Sequence, residues 1–119
     1  AMLSDYLAVS GPVETVFGQL DALFDSPPPG FAESLNTISH HAGMVRAGMP
    51  GANVVFDAGF APRLDYYTGP VFEVTGKNGD ILVSGGSYDR LLRRLGASRD
   101  IAASGCALWV DRLQEEAGR

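Results

Sequence analysis

Three of the four tyrosines of the chain lie in two short runs, residues 63–69 (RLDYYTG) and residues 84–89 (SGGSYD), together with two aspartates and three glycines. Tyrosine rings and hydroxyls bind small polar ligands, carboxylates accept hydrogen bonds, and glycine lets a ligand approach the backbone closely. Neither histidine has a sequence context that places it beside a serine, so no nucleophile–base pair stands out. The two runs therefore predict a binding pocket for a small polar ligand.

A β-hairpin between the two runs is expected to bring them together. Its turn falls at Asn78-Gly79, a dipeptide that favours a two-residue type I′ turn with positive φ at both positions. Pairing outward from that turn predicts three pairs of cross-strand neighbours: Val74 with Val83, Phe72 with Gly85, and Gly69 with Tyr88. The tyrosines, two carboxylates and the glycine pair then converge at one end of the hairpin.

The adjacent residues Tyr66 and Tyr67 are expected to play different roles. Successive side chains of an extended segment point to opposite faces, so only one of the two can enter the pocket while the other packs in the core. The pair Gly85-Gly86 has two interpretations: a flexible hinge between strand and helix, or a position where a ligand comes too close for a Cβ.

The histidines and the cysteine indicate structural roles. His40 and His41 lie about 100° apart on a predicted helix. A shared metal site would prefer a spacing of three or four residues, so we expect surface or interface histidines. Cys106 has no second cysteine for a disulfide and cannot build a zinc site alone. It lies in an apolar stretch and is expected to be a small buried core residue.

The arginines of the second half are open to more than one interpretation. Three of them cluster in one predicted helix: Arg90, Arg93 and Arg94. The cluster fits a solvated helix face or, less simply, a surface for an acidic partner. Arg112, one turn into the last predicted helix, is either a phosphate ligand or a salt-bridge partner of Asp111 or Glu115.

Local signals order the first half of the chain as two helices. The first helix starts after Gly11-Pro12, because proline suits the first helical turn. It presents an apolar stripe at three- and four-residue spacing: Val13, Val16, Phe17, Leu20, Leu23 and Phe24. The proline-rich segment 26–30 ends it. The second helix, which ends at 48–51, has its apolar residues on a common side: Phe31, Leu35, Ile38 and Val45.

After the second helix the sequence predicts a sheet. A strand at 53–57 precedes the hairpin, which spans about residues 70–84. A short helix follows with Ser87 as its N-cap. Its inward face is expected to be formed by Leu91, Leu92 and Leu95. A strand near 105–108 leads to a terminal helix, so we expect an α+β fold in which helices pack on an antiparallel sheet.

Length and composition exclude several classes of protein. A chain of 119 residues has room for one domain with a modest core. Fourteen acidic and nine basic residues give a net charge of −5, which argues against nucleic-acid binding by this chain. No apolar run is long enough to cross a bilayer, and no secretory signal is visible at the start. We expect a cytoplasmic protein without a membrane partner, a metal or another cofactor.

Taken together, three segments resemble the motifs of one enzyme family. Residues 64–69, with 71–73 after them, resemble the first histidine motif of histidyl-tRNA synthetases, and residues 85–89 resemble the second. Residues 105–112 resemble motif 3 of class II synthetases. Order and spacing agree over residues 55–117. The resemblance implies a partial class II synthetase-like domain. Residues 1–51 would form the helical insertion before the first histidine motif, and 52–119 the C-terminal half of the catalytic-type domain.

The departures from these motifs bear on the chemistry. Synthetases carry Arg-Gly before Leu-Asp-Tyr-Tyr, where this chain has Pro62 and Arg63. A slip of one residue reverses the facing side of an extended segment, so Arg63 is not an equivalent replacement. Ser87 stands where the second motif has arginine, and Asp111 where motif 3 has glutamate. Without the arginine, aminoacyl-adenylate chemistry lacks a positive charge at its transition state.

This pattern resembles the synthetase-like regulatory subunits of ATP phosphoribosyltransferase, which do not charge tRNA. The resemblance implies a non-catalytic chain that activates the short-form catalytic subunit in the first step of L-histidine biosynthesis and contributes to histidine feedback. It also implies dimeric regulatory subunits within a hetero-oligomer. Retained histidine recognition would involve six residues: Asp65, Tyr66, Tyr67, Gly85, Gly86 and Tyr88. Arg112 would occupy a vestigial ATP-type position.

Two other readings remain at this point. The chain is alternatively a fragment of a histidyl-tRNA synthetase, or a synthetase-like module that binds another amino acid. In every case a half-domain leaves open sheet edges and exposed apolar surface, so we expect the chain to self-associate.

Overall fold

The computed structural model describes residues 2–61 and 66–118. The chain forms two compact units, Ala1–Ala61 and Pro62–Arg119. The elements of the first unit are α1 (Met2–Leu7), β1 (Ser10–Pro12), α2 (Val13–Leu23), α3 (Phe31–Gly48) and β2 (Val55–Asp57). The elements of the second unit are β3 (Val71–Thr75), β4 (Ile81–Ser87), α4 (Leu91–Arg94), β5 (Ser104–Leu108) and α5 (Val110–Ala117). Both sheets are antiparallel, as the α+β prediction requires.

The core of the first unit is the predicted apolar stripe of α2. Val13, Val16 and Leu20 are buried, because their three- and four-residue spacing places them on one side of the helix. Phe17 packs against Phe56 of β2 at a ring-centroid distance of 5.7 Å. The second helix begins at Phe31, but Val45 near its C-terminus is 46% exposed, so the predicted common side is covered only at its N-terminal end.

Two elements of the first unit were not predicted from the sequence. The helix α1 is a single six-residue segment, too short to show a clear apolar period. The strand β1 contains glycine and proline and has no strand-like composition of its own. It is a strand because it pairs with β2, in a register that joins Ser10 to Asp57. The predicted strand at 53–57 is correspondingly shorter, at Val55–Asp57.

The hairpin of the second unit confirms the predicted register but not the predicted turn. Val74 pairs with Val83 and Phe72 with Gly85. Among the described residues only glycines have positive φ, so Asn78 does not adopt the type I′ conformation, whereas Gly79 has φ 88°. The Gly79 N–H donates to the Gly76 carbonyl at 3.0 Å, and the Gly76 N–H donates to the Asp80 carbonyl at 2.9 Å, which closes a three-residue loop. A register shift between Val74 and Thr75 restores the pairing that a two-residue turn would give.

The second strand of the hairpin is longer than predicted. It continues through Ser87, so Gly85 and Gly86 lie inside a strand and are not a hinge to a helix. Ser87 is not an N-cap, because α4 begins only at Leu91 with Arg90 before it. The predicted inward face of this helix is also wrong: Leu92 is 37% exposed and Leu95 is 74% exposed, and only Leu91 is half-buried.

Beyond the ladder, the chain that enters β3 stays bonded to the end of β4. The Ser87 N–H donates to the Pro70 carbonyl at 3.0 Å. Proline has no N–H to return this bond, and the Ser87 carbonyl accepts instead from the Thr68 N–H at 2.9 Å. As a result Gly69 lies against Ser87, one position away from the predicted neighbour Tyr88.

The last helix is fixed to the hairpin by hydrogen bonds to main-chain atoms of the hairpin. The Trp109 N–H donates to the Leu82 carbonyl at 3.0 Å, just before α5 begins. At the other end, the Glu116 carboxylate accepts the Lys77 N–H at 3.1 Å. Leu82, which accepts the first of these bonds, is the one residue of the described second unit that is both apolar and buried. Over residues 2–61 and 66–118, the helices are all too short or too polar to span a bilayer.

Candidate functional site

Three tyrosine rings form a compact cluster beside the start of β3 and the end of β4. The ring centroids of Tyr66 and Tyr67 lie 4.6 Å apart. Tyr88 packs edge-on against Tyr66 at 5.2 Å and lies 6.3 Å from Tyr67. The prediction that Tyr66 and Tyr67 point to opposite faces is wrong, because Tyr66 lies in a turn before β3 and strand alternation does not apply there.

The tyrosine cluster forms one wall of a cavity of about 370 Å³. The other walls come from β4, from β5 and from the residue before α5. The lining residues are Tyr66, Tyr67, Ser84, Tyr88, Gly105, Cys106, Ala107 and Trp109. Four aromatic rings and a row of small residues give this cavity a size and an apolar character that suit a small ligand with a planar group. We call it the tyrosine pocket.

The strand β5 contributes pocket residues that sequence reasoning missed. Its pairing with β4 sets Gly105 opposite Gly86 and Cys106 opposite Gly85. Cys106 is exposed and lines the pocket, so the prediction of a buried core cysteine is wrong. The sequence carried a signal for this strand, but not for its register on β4, and only the register brings Gly105 and Trp109 to the pocket.

The two glycines of the second run are explained by packing within the unit. A Cβ on Gly86 would lie 2.7 Å from Cδ1 of the Tyr67 ring, so that ring occupies the space of a side chain. A Cβ on Gly85 would lie 2.5 Å from the Gly105 carbonyl oxygen and 2.9 Å from Cε1 of Phe72. Contact of either glycine with a ligand stays a prediction.

The polar residues around Tyr88 hold its backbone in place. The Tyr88 N–H donates to the Ala103 carbonyl at 2.8 Å. The Asp89 N–H donates to Oγ1 of Thr68 at 3.1 Å, and Oδ1 of Asp89 accepts the Ala103 N–H at 3.0 Å. Asp89 therefore braces the loop beside the pocket. Asp65, Pro62 and Arg63 lie outside the described residues.

The hydroxyls of Tyr66 and Tyr67 share a hydrogen bond at 3.5 Å. This bond is the main cause that raises the pKa of Tyr67 to about 12 from its ordinary 10.0, and burial of the ring adds to it. At physiological pH the Tyr67 phenol is therefore protonated and serves as a hydrogen-bond donor or acceptor, not as a base.

We expect a late step in the alkaline titration of the protein. Because the pKa of Tyr67 in the folded protein, about 12, lies above its ordinary value of 10.0, the unfolded chain loses this proton first. The stabilisation is complete below about pH 10 and is lost as the pH rises towards 12. Tyrosinate absorbance measures the step: Tyr67→Phe should remove it and Tyr66→Phe should shift it to lower pH. An unchanged curve for both variants would contradict this assignment.

Arg112 has a different environment from either predicted one. Its Nη1 atom donates to the Ile81 carbonyl at 2.9 Å. The guanidinium carbon also lies over the Trp109 ring, 5.4 Å from its centroid, which is a cation–π contact. Within the described residues Arg112 forms no ion pair with Asp111 or Glu115. It links α5 to β4 and supports the Trp109 wall of the pocket.

The other polar groups of the chain do not assemble into a second centre within the described residues. His40 and His41 are exposed, with ring centroids 6.2 Å apart. In residues 2–61 and 66–118, no three histidine, cysteine, aspartate or glutamate side chains come together to hold a metal ion. The arginines of the α4 region are exposed as predicted, and Nη1 of Arg93 lies 3.6 Å from Asp100.

An antiparallel sheet with packed helices and the three motif segments in this order define a partial class II aminoacyl-tRNA synthetase-like domain. The chain belongs to the histidyl-tRNA synthetase family, whose family model matches residues 1–113. The match extends over both units, includes all three motif segments in full, and stops within α5.

Several curated relatives of the chain share one name. It is 34% identical over 116 residues, 96% of its length, to a protein of Mesorhizobium japonicum, and 36% identical over 115 residues, 95% of its length, to one of Rhizobium rhizogenes. A protein of Brucella ovis is 42% identical over 78 residues, 63% of this chain and 21% of the relative. All three are named ATP phosphoribosyltransferase regulatory subunit. The chain spans about a third of the first two, at 31% of each.

Proposed function

We propose that this protein acts as a non-catalytic regulatory subunit of ATP phosphoribosyltransferase. In this role it activates the short-form catalytic subunit in the first step of L-histidine biosynthesis. The observation that carries the proposal is the similarity to proteins of that name across 95% or more of the chain. Pro62, at the place where synthetases carry an arginine, supports the absence of aminoacylation.

The environment of Arg112 also favours a regulatory role over a synthetase. Class II chemistry needs positive charge at the developing transition state. Here the guanidinium of Arg112 is directed to the Ile81 carbonyl and to the face of Trp109. A nucleotide phosphate would compete with these two contacts for the guanidinium. The alternative, a fragment of a histidyl-tRNA synthetase, is therefore the less supported one.

We infer that L-histidine is the ligand of the tyrosine pocket and mediates feedback. An imidazole ring is planar and carries one donor and one acceptor, which suits a site with four aromatic rings and a protonated tyrosine hydroxyl. The Tyr67 phenol, with its pKa raised to about 12, keeps its proton at physiological pH and would donate it to an imidazole nitrogen in place of its 3.5 Å bond to Tyr66. The ligand's ammonium group would be attracted to the ring faces.

Self-association is part of the same proposal. All five residues of the strand β5 are exposed, and Leu108 at its end is 57% exposed. Such an edge is a pairing surface for another strand. The partners we propose are a second regulatory chain and the short-form catalytic subunit.

The activity test combines the protein with a short-form catalytic subunit. We expect phosphoribosyl transfer to ATP to depend on both chains, with L-histidine as an inhibitor, and we expect no histidyl-tRNA formation by the protein alone. Charging of tRNA, or a catalytic subunit whose rate does not change when the protein is added, would contradict the proposal.

The binding test uses Trp109, the single tryptophan of the chain, as a reporter inside the pocket. L-histidine should change its fluorescence, and Tyr67→Ala and Tyr88→Ala should each weaken binding about tenfold or more, since each removes an aromatic contact and a hydroxyl. Tyr6→Ala is the matched control, because Tyr6 packs on Phe31 in the first unit. Unchanged affinity in both pocket variants would disprove the site.

A further inference from the structure

Gly105 of β5 lies directly beneath the hydroxyl of Tyr88. A Cβ on Gly105 would lie 2.5 Å from the Tyr88 hydroxyl oxygen, which is closer than real Cβ atoms come. The next nearest atoms of the ring, Cζ and Cε1, would be 3.5 and 3.6 Å away, at ordinary contact distance. The conflict is therefore with one atom, the hydroxyl oxygen.

We infer that Gly105 is a positioning residue of the tyrosine pocket, because only the absence of a side chain there lets the Tyr88 hydroxyl lie against β5. As a statement about ligand binding, this inference rests on the proposed histidine site. Both residues line the cavity, so the position of the hydroxyl determines the space left for a ligand.

The surroundings of Tyr88 show why the ring would have to move within the pocket. Its backbone is fixed by the hydrogen bond to the Ala103 carbonyl, and the following Asp89 is tied to Thr68 and Ala103. A Cβ at position 105 therefore displaces the ring by side-chain rotation. The Tyr88 ring meets Tyr66 edge-on at 5.2 Å and 78°, so its rotation changes this contact. Gly105→Ala is therefore expected to move the Tyr88 ring and so change the aromatic wall of the pocket. The strand β5 itself is exposed and need not move to hold the added methyl group.

A double-mutant cycle separates this role from a general effect of alanine in a strand. Tyr88→Phe removes the atom that conflicts with a Cβ at position 105 and leaves only contacts of 3.5 Å or more. Gly105→Ala should therefore perturb the protein that has Tyr88 and should have no further effect in the Tyr88→Phe background. Gly118→Ala, whose Cβ would make only contacts of 3.6 Å, controls for adding a methyl group at an uncrowded glycine outside the strands.

Two readouts are measured on the full protein. Fluorotyrosine labelling gives four resonances, one for each tyrosine, assigned by Tyr→Phe variants. We expect Gly105→Ala to shift the signals of Tyr88 and Tyr66, and to leave Tyr66 unmoved when Tyr88→Phe is present. We also expect about tenfold weaker L-histidine binding for Gly105→Ala alone, reported by Trp109 fluorescence.

The outcomes distinguish this inference from the proposed function. If Gly105→Ala leaves the Tyr88 signal in place, or shifts Tyr66 and weakens binding equally in both backgrounds, the inference is wrong. If the unmodified protein does not bind L-histidine, the proposed ligand is wrong, while the resonance cycle still decides whether Gly105 positions Tyr88. A cycle with no interaction between the two positions overturns the inference whatever the ligand is.

Discussion

Gly85→Ala is expected to destabilise the second unit by about 3 kcal/mol, at the upper end of what overpacking usually costs. Gly85 is buried at the centre of the three-stranded sheet, paired with Phe72 on one side and Cys106 on the other. An added Cβ would meet the Gly105 carbonyl oxygen at 2.5 Å and the Cys106 Cβ at 2.7 Å. Since one obstacle is main chain, β4 and β5 must separate before the methyl group fits.

Thermal or denaturant unfolding measures this effect, and the chain provides graded controls. Gly105→Ala meets only the end of a side chain and should cost much less, while Gly118→Ala should be close to neutral. A Gly85→Ala variant as stable as Gly118→Ala would show that the sheet accommodates a side chain at its centre. The predicted order of stability is therefore as informative as its size.

Arg112→Ala is expected to lower the free energy of unfolding by about 2 to 3 kcal/mol, since it removes a charged hydrogen bond and a cation–π contact. The hydrogen bond joins α5 to the Ile81 carbonyl of β4, and the contact holds the face of Trp109. Loss of the guanidinium leaves the Ile81 carbonyl without this donor and frees the indole ring. We therefore also expect Trp109 fluorescence to shift towards that of an exposed tryptophan.

Arg112→Lys and Arg46→Ala make this prediction specific. Lysine keeps the charge but lacks the planar group that stacks on an indole, so it should restore about half of the loss at most. Arg46 pairs with Glu14 on the surface, with side chains 52% and 49% exposed, and Arg46→Ala should change stability by less than about 1 kcal/mol. Equal effects of Arg46→Ala and Arg112→Ala would refute a special role for Arg112.

The register of the hairpin could be predicted from the sequence, whereas the type of its turn could not. The pairing of Val74 with Val83 follows from the position of Asn78-Gly79 between two apolar runs. The conformation differs because Asn78 uses its side chain as an acceptor for the Asp80 N–H at 3.1 Å and keeps negative φ. The loop has one residue more than the predicted turn, and the bulge between Val74 and Thr75 shifts the pairing back by one residue. The predicted register is therefore correct although the predicted turn is not.

The sequence predicted the tyrosine wall of the pocket but not the wall opposite to it. Tyr66, Tyr67 and Tyr88 belong to the two motif runs, and local spacing was enough to bring them together. Gly105, Cys106 and Trp109 come from a strand whose register depends on hydrogen bonds to β4, which no local pattern encodes. The same limit explains β1, which exists only because β2 lies beside it.

The way α5 is attached determines which residues of the hairpin can change in evolution. The helix is held at Trp109, Arg112 and Glu116, a spacing of three and four residues that places all three on one side. Each bonds to a main-chain atom of the hairpin: the Leu82 carbonyl, the Ile81 carbonyl and the Lys77 N–H. These hydrogen bonds do not depend on the side chains of Lys77 and Ile81. Homologous hairpins are free to change residues there while the helix, and with it the indole wall of the pocket, stays in place.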